Sequence, residues 1–193
     1  MGAIEIIAAL LGVASVYLII RQSLWCWPVG IAMTTLYAWI FLDVRLYSDA
    51  MLQVIYIGLQ LYGWWFWIAR RDAAEAQGRA PILLLSGRAR LLWFAGGLAA
   101  TALVGFGMAR FTNADLPYWD ALTTVFSLVA QTLLARKYLE NWIVWIGVDV
   151  FAIGIYLYKG LEVTAGLYAV FLCMAIWGFW TWQKSRRALA EPA

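Results

Sequence analysis

The chain has 193 residues, of which 65% are hydrophobic, 17% aromatic and only 13% charged. This composition is too apolar for a soluble domain of that size and is typical of an integral membrane protein, and the net charge of +3 requires no nucleic-acid partner. Histidine is absent, and the two cysteines, Cys26 and Cys173, lie inside apolar runs. We therefore expect no disulfide framework, no metal site, no cofactor and no catalytic residues.

Apolar runs of membrane-spanning length recur along the whole chain. The first carries Glu5 where a signal peptide would have basic residues, so it is predicted to be a retained transmembrane helix. The polar stretch 70–90, with Gly78, Pro81 and Gly87, is predicted to be a linker. The sequence therefore predicts an all-α polytopic membrane protein with seven helices, at about 4–20, 24–42, 49–69, 91–109, 118–135, 141–158 and 162–183.

Lysine and arginine are distributed unequally between the two sides of the seven predicted spans. Three basic residues, Arg45, Arg110 and Lys159, fall on one side. Cytoplasmic loops carry the excess of basic residues, so the predicted topology has the N-terminus outside and the C-terminus inside. The other eleven, all on the predicted cytoplasmic side, are Arg21, Arg70, Arg71, Arg79, Arg88, Arg90, Arg136, Lys137, Lys184, Arg186 and Arg187.

A gapless internal repeat relates two parts of the chain at an offset of 115 residues. Tryptophan, arginine and glycine pairs at one fixed offset are not expected by chance. We predict a single transporter domain, 1–193, with repeat one at 4–69, a linker and helix four at 70–110, and repeat two at 118–183. One helix between the repeats makes them parallel, a 3+1+3 arrangement with its site between two three-helix bundles. The pairs include Arg21 with Arg136, Trp27 with Trp142, Gly63 with Gly178, Trp65 with Trp180, Trp67 with Trp182 and Arg71 with Arg186.

One carboxylate lies near the middle of the sixth predicted span. Asp149 follows Trp142 and Trp145 at helical spacing, so the three share a face. A rise of about 1.5 Å per residue places Asp149 roughly 10 Å into a hydrocarbon core of about 30 Å. An anion beside two aromatic faces suits a flat organic cation. The alternative is a protonated Asp149 bound by a neighbouring helix, with both tryptophans facing lipid.

The repeat helps to separate structural from ligand-binding residues at this site. Trp142 matches Trp27 and is partly structural by this criterion, whereas Trp145 corresponds to Gly30 and Asp149 to Thr34. The fold therefore tolerates a small or neutral residue at the last two positions. This difference favours a role for Trp145 and Asp149 in binding a ligand.

Further polar residues share helical faces in the third and fifth spans. Gln53, Tyr56 and Gln60 could read a polar edge of the ligand, or the two amides could join neighbouring helices. Gln131 shares a face with Thr124 and Ser127, where small hydroxyl residues more often make packing contacts. The predicted substrate-binding set is Trp142, Trp145, Asp149, Gln53, Tyr56, Gln60, Thr34 and Gln131.

Residues 41–67 and 118–161 resemble the Pnu family of vitamin transporters, and the likeness covers nearly the whole chain. Its most specific element is Trp142-x-x-Trp145-x-x-x-Asp149, which matches the family's W-x-x-W-x-x-x-N/D substrate-binding signature. The resemblance implies a seven-helix core related to the SWEET sugar transporters and often trimeric. It also implies facilitated diffusion across the bacterial inner membrane of an unphosphorylated vitamin, which a cytoplasmic kinase then traps.

The resemblance implies nicotinamide riboside as the substrate, with thiamine as an alternative. Enteric nicotinamide riboside carriers of the family have Asn where this chain has Asp149, and both vitamins are cationic heteroaromatics. Other branches carry riboflavin or deoxynucleosides.

Two other protein classes compete with a carrier. A membrane-embedded enzyme would need a nucleophile, base or metal constellation, which the sequence lacks. A seven-helix receptor or photoreceptor is the second, but a retinal Schiff base needs a lysine deep in the last helix, where Lys184 stands at the cytoplasmic end.

Overall fold

The computed structural model describes residues 3–43, 45, 47–76 and 82–188. Within these residues the chain is all-helical, and the one β-type pairing there is an isolated bridge between Leu83 and Tyr138. The predicted all-α fold with seven helices is therefore confirmed. The helices are α1 Ala3–Ile20, α2 Cys26–Asp43, α3 Tyr47–Ala76, α4 Gly87–Phe111, α5 Pro117–Ala135, α6 Glu140–Tyr158 and α7 Glu162–Ala188.

The connection between α3 and α4 is shorter than the predicted linker, 70–90. α3 runs to Ala76, so Arg70 lies in a helix, and α4 begins at Gly87. The Oγ atom of Ser86 accepts a hydrogen bond of 3.2 Å from the backbone N–H of Ala89, which caps the start of α4. Residues 77–81, which include the predicted linker positions Gly78, Arg79 and Pro81, lie outside the described residues.

Four helices in the described part of the chain, α2, α4, α6 and α7, are long and apolar enough to cross a membrane. α1 is apolar but shorter. α3 and α5 are long enough to cross a membrane but are not apolar enough by the same criterion. α3 carries the polar residues Gln53 and Gln60, and α5 carries Asp120 and Gln131. The number of seven spans therefore stays a prediction.

The chain forms two compact units. The first contains Met1–Pro81, Ala135–Lys137 and Trp180–Ala193. Within it, α1 contacts α2 where the hydroxyl of Ser15 donates to the carbonyl oxygen of Cys26 at 3.2 Å. Trp67 then packs edge-on against Trp27, with ring centroids 5.3 Å apart, and this contact joins α2 to α3.

The second unit contains Ile82–Leu134 and Tyr138–Phe179. Its helices pack through aromatic side chains: Phe94 of α4 contacts Phe126 of α5, and the ring centroids of Trp119 and Phe151 join α5 to α6 at 5.5 Å. The rings of Tyr156 and Tyr168 meet at 5.1 Å between α6 and α7. Large aromatic groups therefore form contacts between neighbouring helices of the second unit.

The backbone repeats at the same offset of 115 residues that relates the two halves of the sequence. Gln22 and Lys137, which follow α1 and α5, both have positive φ, at 53° and 56°. Arg45 and Gly160, which follow α2 and α6, have φ values of 62° and 70°. The left-handed conformation therefore recurs at the same points of both repeats, and glycine relieves its steric cost only at Gly160.

A packing contact between a tryptophan ring and a glycine also occurs twice at this offset. In the first unit, a Cβ atom added to Gly63 would overlap the ring of Trp27. In the second unit, a Cβ atom added to Gly178 would lie 2.6 Å from the ring of Trp142. The sequence-matched tryptophans and glycines are therefore contact pairs, which explains why both halves carry them.

Candidate functional site

The predicted signature residues lie on the buried side of α6. Trp142 and Asp149 are buried, Asp149 with an exposed fraction of 3%, and Trp145 is half-buried. Ile143 and Val150, which follow Trp142 and Asp149 by one residue, are exposed. α6 therefore presents an apolar face outward and places the carboxylate of Asp149 inside the second unit.

Asp149 has no hydrogen-bond or ion-pair partner among the residues that the structure describes. The carboxylates near the two ends of α6 differ, because Glu140 pairs with Arg90 at 2.9 Å and Asp120 with Lys159 at 3.3 Å. Burying a carboxylate without a partner is costly. A cation that approached Asp149 would offset that cost, which is the chemistry expected of a binding site for a positively charged molecule.

Trp142 and Trp145 have different surroundings. The six-membered part of the Trp142 ring packs on the backbone of Gly178, so this side chain helps to hold α6 against α7. Trp145 replaces the glycine found at the equivalent position, Gly30, and stays half-buried. Trp145 is therefore the tryptophan of this pair with ring surface left to contact a ligand.

Two aromatic residues near this site had not been predicted as site residues. Tyr156 lies two turns beyond Asp149 on the same helix, and its ring contacts Tyr168 of α7. Tyr168 in turn meets Phe171 edge-on, with centroids 5.9 Å apart. The spacing of seven residues between Asp149 and Tyr156 is the sequence signal that could have identified the first of them.

Two of the predicted residues of the first unit, Thr34 and Gln60, are hydrogen-bonded to each other. The side-chain amide of Gln60 donates to the hydroxyl of Thr34 at 2.7 Å, and that hydroxyl donates to the carbonyl oxygen of Gly30 at 2.7 Å. Thr34 and Gln60 are both buried, whereas Gln53 and Tyr56 are half-buried. Gln60 thus joins α3 to α2, which is the interhelical alternative considered for it.

Gln131 lies on α5 in the second unit and is buried. Its neighbour on the same face, Ser127, donates its hydroxyl to the backbone carbonyl of Thr124 at 2.8 Å. The serine hydroxyl is therefore engaged within its own helix, as expected for a packing residue.

The start of α6 is held by a polar contact that the sequence analysis did not identify. Oε1 of Glu140 accepts hydrogen bonds from the backbone N–H of Leu85 at 3.1 Å and from Nε of Arg90 at 2.9 Å. The backbone N–H of Leu139 donates to the carbonyl of Leu83 at 2.9 Å. The segment before α4 is thereby fastened to the first turn of α6, next to the signature residues.

In the described part of the chain, no three His, Cys, Asp or Glu residues are grouped so that they could hold a metal ion. The candidate site consists instead of a buried carboxyl group and aromatic rings on long apolar helices. Long apolar helices are typical of an α-helical membrane protein, and the comparisons with known proteins place it among transporters.

Residues 2–184 match the sequence model of the family described as Nicotinamide mononucleotide transporter. The chain belongs to this family. The prediction of a Pnu-type transporter is thereby confirmed, as is the prediction that the protein is not an enzyme.

Several relatives match this chain over most of their own length. The nicotinamide riboside transporter PnuC of Escherichia coli (strain K12) is 25% identical over 214 residues, covering 98% of this chain and 89% of the relative. PnuC of Neisseria mucosa is 28% identical, covering 92% of this chain and 71% of the relative. The riboflavin/roseoflavin transporter RibM of Streptomyces davaonensis is 26% identical, covering 95% and 86%.

One solved structure shares the fold. It is described as the crystal structure of the vitamin B3 transporter PnuC and is 24% identical in sequence. The TM-score is 0.73, and the match covers 94% of this chain and 81% of the other. The helical architecture is therefore that of a known membrane transporter.

Proposed function

We propose that the protein carries a flat, positively charged heteroaromatic vitamin into the cell, and that this vitamin is nicotinamide riboside. The observation that carries the proposal is the buried carboxylate of Asp149, which has no partner among the described residues and follows Trp145 on one helix face. The pyridinium ring of nicotinamide riboside supplies both a positive charge and an aromatic plane. Relatives named as nicotinamide riboside transporters support the choice.

Thiamine is the second candidate, because it is also a cationic heteroaromatic whose charge the carboxylate of Asp149 would compensate. Riboflavin, which the relative RibM carries by name, is neutral. A neutral substrate would leave the carboxylate without a compensating charge, so Asp149 argues against it.

We infer that transport is facilitated diffusion, with a cytoplasmic kinase trapping the vitamin by phosphorylation. Asp149 is the buried carboxylate assigned to the substrate, and the other buried carboxylate in the described part of the chain, Glu140, is paired with Arg90. In the described part of the chain, no second unpaired buried carboxylate is therefore available for ion coupling.

The proposed arrangement is three helices, a connecting helix and three helices, as in the SWEET transporters. The positive φ values at Gln22 and Lys137, and at Arg45 and Gly160, support equivalent three-helix repeats. The proposal includes a homotrimer in the bacterial inner membrane, with the N-terminus outside and the C-terminus inside.

Calorimetric titration of the detergent-purified protein against nicotinamide riboside, thiamine and riboflavin tests the substrate. We expect the two cations to bind and riboflavin not to. In proteoliposomes, the bound vitamin should equilibrate and then stop. Binding of riboflavin alone, or accumulation driven by an imposed proton or sodium gradient, would contradict the proposal.

A further inference from the structure

The two repeats differ in the hydrogen bonding of one buried polar position. Thr34 and Asp149 are equivalent at the offset of 115 residues, and their exposed fractions are 1% and 3%. In the first unit, the amide of Gln60 donates to Thr34 at 2.7 Å. The residue equivalent to Gln60 in the second repeat is Ala175, which is buried and has no side-chain donor.

Ala175 lies at the level of Asp149 on the facing helix. The rings of Tyr156 and Tyr168 meet between α6 and α7, which run antiparallel within the second unit. Seven residues before Tyr156 stands Asp149, and seven residues after Tyr168 stands Ala175. Seven residues correspond to about two helical turns, or about 10 Å along a helix, and return to the same helix face. Because α6 and α7 are antiparallel, the step from Tyr156 back to Asp149 and the step from Tyr168 on to Ala175 move in the same direction.

A second contact supports this register. Trp142 packs on Gly178, one turn from Ala175 along α7. In the first unit, the same relation holds between the Trp27–Gly63 contact and the Thr34–Gln60 hydrogen bond. The equivalence of the two helix pairs therefore extends to the positions of Asp149 and Ala175.

We infer that Ala175 is a specificity-determining residue that keeps the carboxylate of Asp149 open to a cation without N–H donors at its charged centre. This inference rests on the proposed function. The charged nitrogen of a pyridinium or thiazolium ring is fully substituted, so it compensates a carboxylate by charge and contact rather than by a hydrogen bond. A glutamine at position 175 would bring an amide N–H donor to Asp149. Its side chain would also press against Trp145, because Gly30, which leaves room for the Gln60 amide in the first unit, is replaced by Trp145 in the second.

The test is the Ala175→Gln variant, with Ala169→Gln as a matched control at an exposed position of the same helix. We expect Ala175→Gln to weaken nicotinamide riboside binding in calorimetry by roughly tenfold or more, since a hydrogen bond to a charged group competes with the ligand. The control should bind as the unsubstituted protein does. If Ala175→Gln does not fold, Ala175→Ser, with a shorter donor, should give a smaller loss in the same direction.

A readout independent of the vitamin separates this inference from the proposed function. The infrared carboxyl band that disappears in Asp149→Asn belongs to Asp149, and Ala175→Gln should shift it while Ala169→Gln should not. An unshifted band together with unchanged affinity would overturn the inference. A shifted band in a protein that binds no vitamin would support the contact but remove the proposed function.

Discussion

At the scale of single residues, the proposed site depends on Asp149, a buried carboxyl group for which the described residues provide no partner. Glu140 is buried on the same helix as Asp149, yet Glu140 accepts hydrogen bonds from Leu85 and Arg90. Asp149 has no such partner among the described residues, although it is the more buried of the two. A group left in this condition is expected where a ligand supplies the missing interaction.

Replacing Asp149 by Asn should weaken the binding of a cationic vitamin and leave a neutral analogue of the same shape little changed. The substitution removes a desolvated charge partner, for which losses of about 2–5 kcal/mol are typical. Affinities for nicotinamide riboside and for its neutral reduced form, measured by calorimetry, check this. Equal affinities of Asp149→Asn and the unsubstituted protein for both compounds would make Asp149 a structural residue.

The Trp145→Ala variant serves as the comparison for that experiment. It removes a ring rather than a charge, so it should weaken the cation and the neutral analogue together. Cation–π contact adds about 0.5–2 kcal/mol for the cation alone. A loss confined to the cation would assign Trp145 an electrostatic role only.

At the scale of helices, the position of the site depends on the close packing of α6 on α7. The ring of Trp142 lies where a side chain at position 178 would begin, and Trp27 and Gly63 make the same contact in the first unit. The helices can approach this closely only because glycine leaves room for the indole. Trp142 therefore has a packing role between α6 and α7.

The Gly178→Ala substitution should lower the thermal stability of the purified protein. The new Cβ atom would lie 2.6 Å from the Trp142 ring, and overpacking of this kind costs about 1–3 kcal/mol. Gly166→Ala is the control, because a Cβ atom there meets nothing within 4 Å on the same helix. It should be neutral or slightly stabilising, since alanine favours a helix. Equal unfolding temperatures for both variants would contradict the packing role.

At the scale of the whole molecule, the remaining prediction is orientation. Eleven of the fourteen basic residues fall on one side of the predicted spans. The described structure places two exposed residues at opposite ends of α4, Arg88 at its start and Asn113 just beyond its end. These positions suit a labelling experiment because each lies outside the apolar part of the helix.

In a variant with Cys26 and Cys173 replaced by Ser, a cysteine at position 113 should react with an impermeant thiol reagent in intact cells. A cysteine at position 88 should react only after the membrane is permeabilised. Both cysteines should react in permeabilised cells, which controls for accessibility. The reverse pattern in intact cells would invert the proposed topology.

The sequence by itself determined the helical class, the number of helices, the family and the pairs of residues that recur at the offset of 115. These properties follow from apolar runs of fixed length and from a motif whose residues share a helix face, so they need no knowledge of long-range contacts. The motif also made Asp149 and Trp145 candidates for the substrate site, which stays a prediction. It could not show that Gln60 is engaged by Thr34, nor that Tyr156 contacts Tyr168.

Those partners were decided by the tertiary structure, because a helix face is the same whether its polar groups meet another helix or a ligand. Helical spacing made both Gln60 and Asp149 candidates for ligand binding. Only the packing of α3 on α2 showed that the Gln60 amide has an acceptor, the hydroxyl of Thr34, at 2.7 Å. The equivalent contact is missing in the second repeat, where alanine stands at position 175. Whether a polar residue on a helix face finds a partner within the protein therefore depends on the residue across the helix interface, which local sequence does not encode.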